Sequence, residues 1–150
     1  MPKTRVRDAV SSDFPTLLSI DKASFPPGIA YDSAELDYFM RRQGARTLVA
    51  ELDSEIAGFI LLEIVARRKC ATLVTLDILD RFRRRGLATK LLAHSEEILR
   101  DQQIARYDLQ VDVHNSRANA FYVKHGFHTV WTIPKYYANG NDAYFMSKLL

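Results

Sequence analysis

Residues 76 to 92 read LDILDRFRRRGLATKLL, an aliphatic strand-like segment followed by a basic loop and the start of a leucine-rich helix. Gly86 lets the backbone turn and approach a ligand closely, and the small side chain of Ala88 leaves the helix start uncovered. The first N–H groups of a helix have no internal acceptors and lie at the positive end of its dipole, which favours a phosphate or pyrophosphate. Arginine guanidinium groups add bidentate donors. The segment therefore predicts an anion site, with a solvated basic loop as the alternative.

The charge balance of the whole chain depends on this loop. Lys and Arg number 21 against 18 Asp and Glu, a net charge of +3. Within five consecutive residues lie Arg81, Arg83, Arg84 and Arg85, and without these four the count is 17 against 18. A general nucleic-acid or membrane surface would spread its basic residues along a face or a tail. We therefore expect one local anion site, and neither nucleic acid nor membrane as a partner.

Length and composition predict a single globular domain over residues 1–150. The chain has 150 residues, 47% hydrophobic and 26% charged, enough to bury its own core. Cys70 is the only cysteine, which excludes an intrachain disulfide and a cysteine-rich zinc site, and no metal site is predicted. The longest apolar run, residues 56–62, is too short to cross a bilayer, and the first residues lack the apolar stretch of a signal peptide. We expect a cytoplasmic protein.

The pattern of the remaining sequence predicts an α/β (α+β) fold, a mixed sheet with helices packed against it. Capping residues and 3.6-residue apolar spacing indicate helices, and β-branched and aliphatic runs indicate strands. The predicted order is β-α-α-β-β-β-α-β-α-β-β. The predicted strands are Thr4–Val10, Thr47–Leu52, Ile56–Ala66, Ala71–Leu79, a strand around 109–113, Phe127–Ile133 and Ala143–Leu149, and the predicted helices are 11–23, 32–44, 86–101 and 115–125.

Two segments in this order resemble the GNAT N-acetyltransferase superfamily. The run Arg83-x-x-Gly86-x-Ala88, after a strand and before a helix, is similar to its R/Q-x-x-G-x-G/A acetyl-CoA motif. Residues 115–127, NSRANAFYVKHGF, resemble its N-x-x-A-x-x-x-Y-x-x-x-G-F segment. Together with the order of elements, the resemblance covers nearly the whole chain. It implies an acetyl-CoA-dependent N-acetyltransferase.

The resemblance also implies roles for individual residues. The cofactor would be acetyl-CoA, with its pantetheine arm along the backbone of residues 76–78 and beside Asn115, and its pyrophosphate on the N–H groups of residues 84–89. Tyr122 would be the general acid that protonates the departing thiolate, since a phenol can donate and accept. The cofactor-binding residues implied are Leu76, Asp77, Ile78, Arg83, Arg84, Arg85, Gly86, Leu87, Ala88, Thr89 and Asn115.

The general base stays open. In the resembling ribosomal-protein N-terminal acetyltransferases (the RimI group), a Glu lies five residues before the motif Asn, where this chain has Gln110. Glutamine cannot take the proton. The candidates are Asp112, Asp77, Glu63, or a water chain relayed by Gln110 and Asp112.

The final hairpin points to the acceptor. Tyr136-Tyr137-x-x-Gly-x-Asp-Ala-x-x-Met resembles the C-terminal segment of protein N-terminal acetyltransferases, so Tyr136 and Tyr137 are candidate substrate contacts, with Tyr31 on the opposite wall. An α-amino group with a pKa of about 8 is substantially neutral at physiological pH, which lowers the demand for a base. We expect a peptide or protein N-terminus as the partner of a monomer or weak homodimer. The alternatives are a small amine (polyamine or amino sugar) as acceptor, and a non-catalytic nucleic-acid-binding module that uses the Arg81–Arg85 loop.

Overall fold

The computed structural model describes residues 2–150, which form one seven-stranded mixed sheet with four α-helices against it. The predicted order of elements is confirmed. The strands are β1 Thr4–Asp8, β2 Ala45–Leu52, β3 Glu55–Val65, β4 Cys70–Ile78, β5 Arg106–Asp112, β6 His128–Ile133 and β7 Ala143–Leu149, and the helices are α1 Phe14–Ser24, α2 Ser33–Arg41, α3 Leu87–Asp101 and α4 Ser116–Lys124.

The capping residues predicted from the sequence define two of the helix starts. Asp32 accepts the N–H of Glu35 at 2.8 Å, and the Glu35 side chain accepts the N–H of Asp32 at 3.0 Å, a complete capping box for α2. Asn115 Oδ1 accepts the N–H of Ala118 at 3.2 Å at the start of α4. These local hydrogen bonds set the N-terminal boundaries of α2 and α4.

The strand order across the sheet is β1-β2-β3-β4-β5-β7-β6. Every neighbouring pair is antiparallel except β4 and β5, which α3 connects as parallel strands. The last strand, β7, lies between β5 and β6, so the final hairpin forms one edge of the sheet with β7 beside β5. This brings the β6–β7 loop to the same end of the sheet as the end of β5.

The two parallel strands separate part-way along their length. Their pairing runs from Cys70 opposite Arg106 to Leu73 opposite Leu109, and no pair follows. Strand β4 continues to Ile78 and β5 to Asp112, each held by its antiparallel neighbour on the other side. The result is an opening between the two strands, which we call the splay. Along it, the backbone of residues 74–78 has no strand partner on the β5 side.

A bulge in β4 decides which side chains face each layer of helices. Leu62 of β3 pairs with Leu73, but its neighbour Leu61 pairs with Thr75, so Val74 is skipped. Strict alternation would keep residues 71, 73, 75 and 77 on one face. Instead Leu73 packs in the α3 core cluster, while Thr75 lies 3.4 Å from Asp21 on α1. The bulge therefore turns Thr75 and Asp77 toward α1 and α2.

The core forms two clusters, one on each face of the sheet. The larger packs α3 and α4 against the sheet and includes Leu91, Leu109 and Tyr122. The smaller packs α1 and α2 against Phe59 and Leu61 of β3. No helix within residues 2–150 combines the length and apolarity needed to span a membrane.

Candidate active site

The turn between β4 and α3 presents a row of backbone donors. Gly86 is the N-cap of α3 and has a left-handed φ of +76°, as has Arg84 with +65°. Within residues 2–150, the N–H groups of residues 84–89 donate to no backbone or side-chain acceptor, and no side chain caps α3. A left-handed turn before a helix start leaves these N–H groups without acceptors at the positive end of the helix dipole, which suits an anion. This is the geometry that the sequence predicts for a pyrophosphate.

The four arginines of the loop do not all face this turn. Arg81 pairs with Glu55 at the start of β3, and its guanidinium lies 4.3 Å from the centre of the Phe82 ring. Arg83 donates to the carbonyl of Ile78 at 3.2 Å and pairs with Asp80 at 3.0 Å. In the part of the chain described, Arg84 and Arg85 are exposed and make no ion pair with a carboxylate. The charge available to a ligand is therefore that of two arginines rather than the four expected.

Tyr122 is buried in α4 beside the splay. Its ring contacts Phe121 and Phe127 edge-on, with centroids 5.5 and 5.6 Å apart. Its hydroxyl makes no hydrogen bond within residues 2–150. Burial raises the pKa of Tyr122, and the charge of Asp77 raises it further, so the phenol stays protonated at neutral pH. The side chain is both a core residue and a potential proton donor.

Asp77, one of the base candidates, belongs to a buried polar group that the sequence did not indicate. The Thr75 hydroxyl donates to Asp77 Oδ1 at 2.5 Å and lies 3.4 Å from Asp21 Oδ1. Asp21 Oδ2 accepts the N–H of Tyr31 at 2.7 Å. Burial raises the pKa of Asp77, with a further rise from Asp21. One signal for Asp21 exists in the sequence, because it follows Leu17 by four residues and so shares the apolar face of α1.

The other base candidates have different surroundings. Asp112 accepts the N–H of His114 with Oδ1 and the Asn141 side chain with Oδ2, both at 3.0 Å, so it ties β5 to the β6–β7 loop. Gln110 is half-buried on β5 opposite Phe145.

Glu63 lies away from these groups. It pairs with Arg42 and sits opposite Thr72, five residues before Asp77 on β4, or about 16 Å along the strand. The structure therefore does not bring Glu63 to the splay.

Three tyrosines lie on two loops that a hydrogen bond joins. Tyr31 comes from the α1–α2 loop, and Tyr136 and Tyr137 come from the β6–β7 loop with their ring centroids 4.9 Å apart. The N–H of Ala138 donates to the carbonyl of Gly28 at 3.2 Å, which links the loops. Burial raises the pKa of Tyr31, and Tyr136, Asp21, Tyr137 and Asp77 add to the rise. The predicted acceptor residues are thus gathered on the Asp77 side of the splay.

A family model for the acetyltransferase (GNAT) family matches residues 6–127. The chain belongs to this acetyltransferase family. The resemblance inferred from the two motifs is confirmed, and the match favours an enzyme over the nucleic-acid-binding module. Acetyl-CoA is the cosubstrate of this acetyltransferase.

Two curated relatives differ in their acceptors. The N-alpha-acetyltransferase of Sulfurisphaera tokodaii is 30% identical over 158 aligned residues, which cover 95% of this chain and 91% of the relative. The L-amino acid N-acetyltransferase of Escherichia coli is 30% identical over 114 residues, 72% of this chain and 70% of that protein. The acetyltransferase therefore has relatives named for two classes of acceptor.

Solved structures share the fold of the acetyltransferase. Ard1 from Thermoplasma volcanium has a TM-score of 0.89 at 24% identity, covering 98% of this chain and 97% of that one. The ribosomal-protein-S18-alanine N-acetyltransferase from Escherichia coli has a TM-score of 0.86 at 22% identity, with coverage of 98% and 94%. Arabidopsis thaliana Naa50, in complex with the bisubstrate analogue CoA-Ac-MVNAL, has a TM-score of 0.83 at 23% identity and covers 97% of both chains. The predicted α/β fold class is confirmed.

Proposed function

We propose that this acetyltransferase transfers the acetyl group of acetyl-CoA to the N-terminal α-amino group of a protein or peptide. The observation that carries the proposal is that two loops joined by the hydrogen bond from Ala138 to Gly28 carry Tyr31 on one side and the paired rings of Tyr136 and Tyr137 on the other. Such an aromatic wall suits an extended chain entering end-on, since aromatic side chains give large contact area with few rotamers to fix. The relative from Sulfurisphaera tokodaii, named an N-alpha-acetyltransferase, supports the same acceptor.

The cofactor would lie along the other side of the splay. The edge of β4 at residues 76–78, which has no partner strand, would offer backbone N–H and carbonyl groups to the pantetheine amides, as a neighbouring strand would, with the carbonyl of Ile78 also accepting from Arg83. The N–H groups of residues 84–89 would hold the pyrophosphate, with Arg84 and Arg85 adding charge. Asn115, at the end of β5, would contact the pantetheine chain from the opposite edge of the splay. This placement delivers the thioester to the gap between β4 and β5.

The chemistry needs a neutral amine, a carbonyl in line with it and a proton for the leaving sulfur. The amine nitrogen attacks the thioester carbonyl, the C–N bond forms and the C–S bond breaks. Tyr122 would donate its phenolic proton to the departing thiolate, because burial keeps that proton on the oxygen at neutral pH. Gln110 stands where the RimI group carries Glu, and its amide cannot take a proton at neutral pH. It would orient the acceptor by hydrogen bonds only.

A free amino acid is the second candidate acceptor. The L-amino acid N-acetyltransferase of Escherichia coli supports this alternative.

A panel of acceptors decides between the two. Peptides of one length that differ in their first two residues would be compared with free L-amino acids, spermidine and an aminoglycoside, following CoA release and the mass of the product. Peptide turnover with a preference at the first residue is expected. As a control, the same peptides with a blocked α-amino group and an internal lysine should give no product. Turnover of free amino acids or small amines alone would overturn the proposal.

A further inference from the structure

Two stacked aromatic rings lie on the sheet outside both core clusters. The rings of Trp131 on β6 and Phe145 on β7 have centroids 4.7 Å apart and planes at 10° to each other. Neither residue belongs to the larger cluster under α3 and α4 or to the smaller cluster under α1 and α2. Trp131 is 56% exposed. An exposed aromatic pair of this kind indicates a surface that contacts a partner.

The strand register places this pair in line with Gln110. Phe145 lies opposite Gln110 of β5 on one side and opposite Trp131 of β6 on the other. Leu109 and Val111 pack in the larger core cluster, so Gln110 points to the other face of β5, and the residues directly opposite share its face. We call Gln110, Phe145 and Trp131 the aromatic row. It begins on β5 at the edge of the splay and ends on the edge strand β6.

Helices α1 and α2 leave the aromatic row uncovered. They pack on this face of the sheet over β2, β3 and β4, and within residues 2–150 their core cluster contains no residue of β5, β6 or β7. Edge strands are commonly protected by charged side chains, yet β6, with the sequence HTVWTI, has no Lys, Arg, Asp or Glu. The row therefore presents an uncharged surface that suits an apolar or aromatic side chain.

The position and the size of the aromatic row favour the acceptor chain as its occupant. The loop that carries Tyr136 and Tyr137 joins β6 to β7, so the row is continuous with the predicted acceptor contacts. Two aromatic side chains bury roughly 300–500 Å², whereas a stable interface between two copies of a chain needs about 800 Å² on each. The row is thus large enough for a short extended segment and too small for a second copy of this protein.

We propose that the aromatic row binds the acceptor beyond its amino end, with Trp131 and Phe145 contacting an apolar or aromatic side chain at about the fourth residue. The inference rests on the proposed function, because it needs a peptide or protein as the acceptor. Neighbouring strands lie about 4.8 Å apart, so Trp131 is about 10 Å from Gln110 across the sheet. An extended chain advances about 3.3 Å per residue, so a chain whose first residue lies at Gln110 reaches Trp131 with its fourth.

The first test compares an eight-residue peptide that has Leu at its fourth position with the amidated dipeptide of the same amino end. The kcat/KM of the long peptide should be about tenfold higher. Trp131→Ala should remove this advantage and leave both kcat/KM for the dipeptide and the Kd for acetyl-CoA unchanged. Trp131→Phe should retain it, because a phenyl ring can still stack on Phe145. Asp in place of Leu at the fourth position of the peptide should abolish it.

Leu149→Ala is the matched control. Leu149 is an exposed apolar residue on the same strand and the same face as Phe145, but it lies opposite Arg106 rather than Gln110. This variant should keep the full advantage of the long peptide. A long peptide that reacts no faster than the dipeptide, or an advantage that survives Trp131→Ala, would overturn the assignment of the aromatic row.

A second measurement needs no turnover. Trp131 is the only tryptophan of the chain, so the tryptophan emission reports this position alone. With CoA in place of acetyl-CoA, the long peptide should protect Trp131 from acrylamide quenching and shift its emission to shorter wavelength, and the dipeptide should do neither. Emission that the long peptide leaves unchanged would contradict the inference, and emission that changes with protein concentration alone would show a second copy at the row instead. Protection by peptides that are not acetylated would overturn only the proposed function.

Discussion

Leu73 of β4 pairs with Leu109 of β5, and beyond this pair the two parallel strands part. On the face of the sheet covered by α3, the opening lies beside the donor-rich turn at Gly86. On the face covered by α1 and α2, it lies beside Asp77 and the three tyrosines of the joined loops. The opening therefore separates a surface suited to the cofactor from a surface suited to the acceptor. Changes on one side should affect one substrate and spare the other.

Gly86 should be needed for its conformation alone. Its φ of +76° is unfavourable for other residues, and a Cβ there would meet nothing within 4 Å. Gly86→Ala should lower the free energy of unfolding by about 1 kcal/mol and weaken acetyl-CoA binding. Gly140→Ala, also at positive φ in open space, is the matched control. It should cost similar stability in denaturant melts without changing the Kd for acetyl-CoA, and equal effects on binding would contradict the role of the turn.

A larger side chain at position 88 should weaken acetyl-CoA binding. It lies in the first turn of α3, where the pyrophosphate would approach, whereas Ala93 is exposed further along the same helix. Ala88→Val should reduce the stabilisation by acetyl-CoA, which for the wild type is about 2.7 kcal/mol at 100 times Kd. Ala93→Val should keep the full stabilisation in the same thermal-shift assay. Equal shifts for the two variants would place the cofactor elsewhere.

Arg84 and Arg85 should contribute to cofactor binding more than Arg81 does. The guanidinium of Arg81 is already paired with Glu55, while the other two make no ion pair in the described chain. The double change of Arg84 and Arg85 to Ala should weaken acetyl-CoA binding about tenfold, more so at low salt. Arg81→Ala should change the Kd by less than about twofold. Calorimetry at two salt concentrations checks both.

Tyr122→Phe should affect turnover and spare binding. Loss of the phenolic proton removes the donor for the thiolate, and proton transfer of this kind contributes about 100-fold or more. We expect kcat to fall while the Kd for acetyl-CoA stays constant. Tyr107→Phe is the control, since Tyr107 is also buried but donates to Ser95 at 3.0 Å and faces no cofactor surface. It should lose stability and keep kcat. Normal turnover of Tyr122→Phe with chemistry rate-limiting would remove Tyr122 as the acid.

A substitution at Gly28 should weaken binding of the acceptor and leave binding of acetyl-CoA unchanged. A Cβ at this position would lie 2.8 Å from the backbone nitrogen of Asn139, so Gly28→Ala should push the two loops apart. The KM for the acceptor should rise several-fold, while the KM for acetyl-CoA stays the same. Gly140→Ala leaves this contact untouched and serves as the control. A matching rise of both KM values would show that the loops do not form a separate acceptor wall.

Much of this protein follows from local sequence. The Asp32 and Asn115 caps, the left-handed Gly86 and the alternation in β5 all depend on hydrogen bonds and periodicities within a few residues, so they predict the order of elements and the donor-rich turn. Tyr122 and the tyrosines of the last hairpin were likewise identified from their motifs. The caps, the left-handed turn and the strand alternation depend only on residues that are neighbours in the sequence.

Tertiary structure alone decided which residues meet. The insertion of β7 between β5 and β6, the end of pairing at Leu73 and the bulge at Val74 depend on the register of strands far apart in sequence. A shift of one residue reverses the face to which a side chain points, which is why Asp77 meets Asp21. Glu63 is remote because it lies opposite Thr72, about 16 Å along β4 from Asp77. The same holds for charge. The loop carries four arginines by sequence, but Arg81 pairs with Glu55, which only the folded chain brings near, and Arg83 is engaged by its local neighbours Ile78 and Asp80.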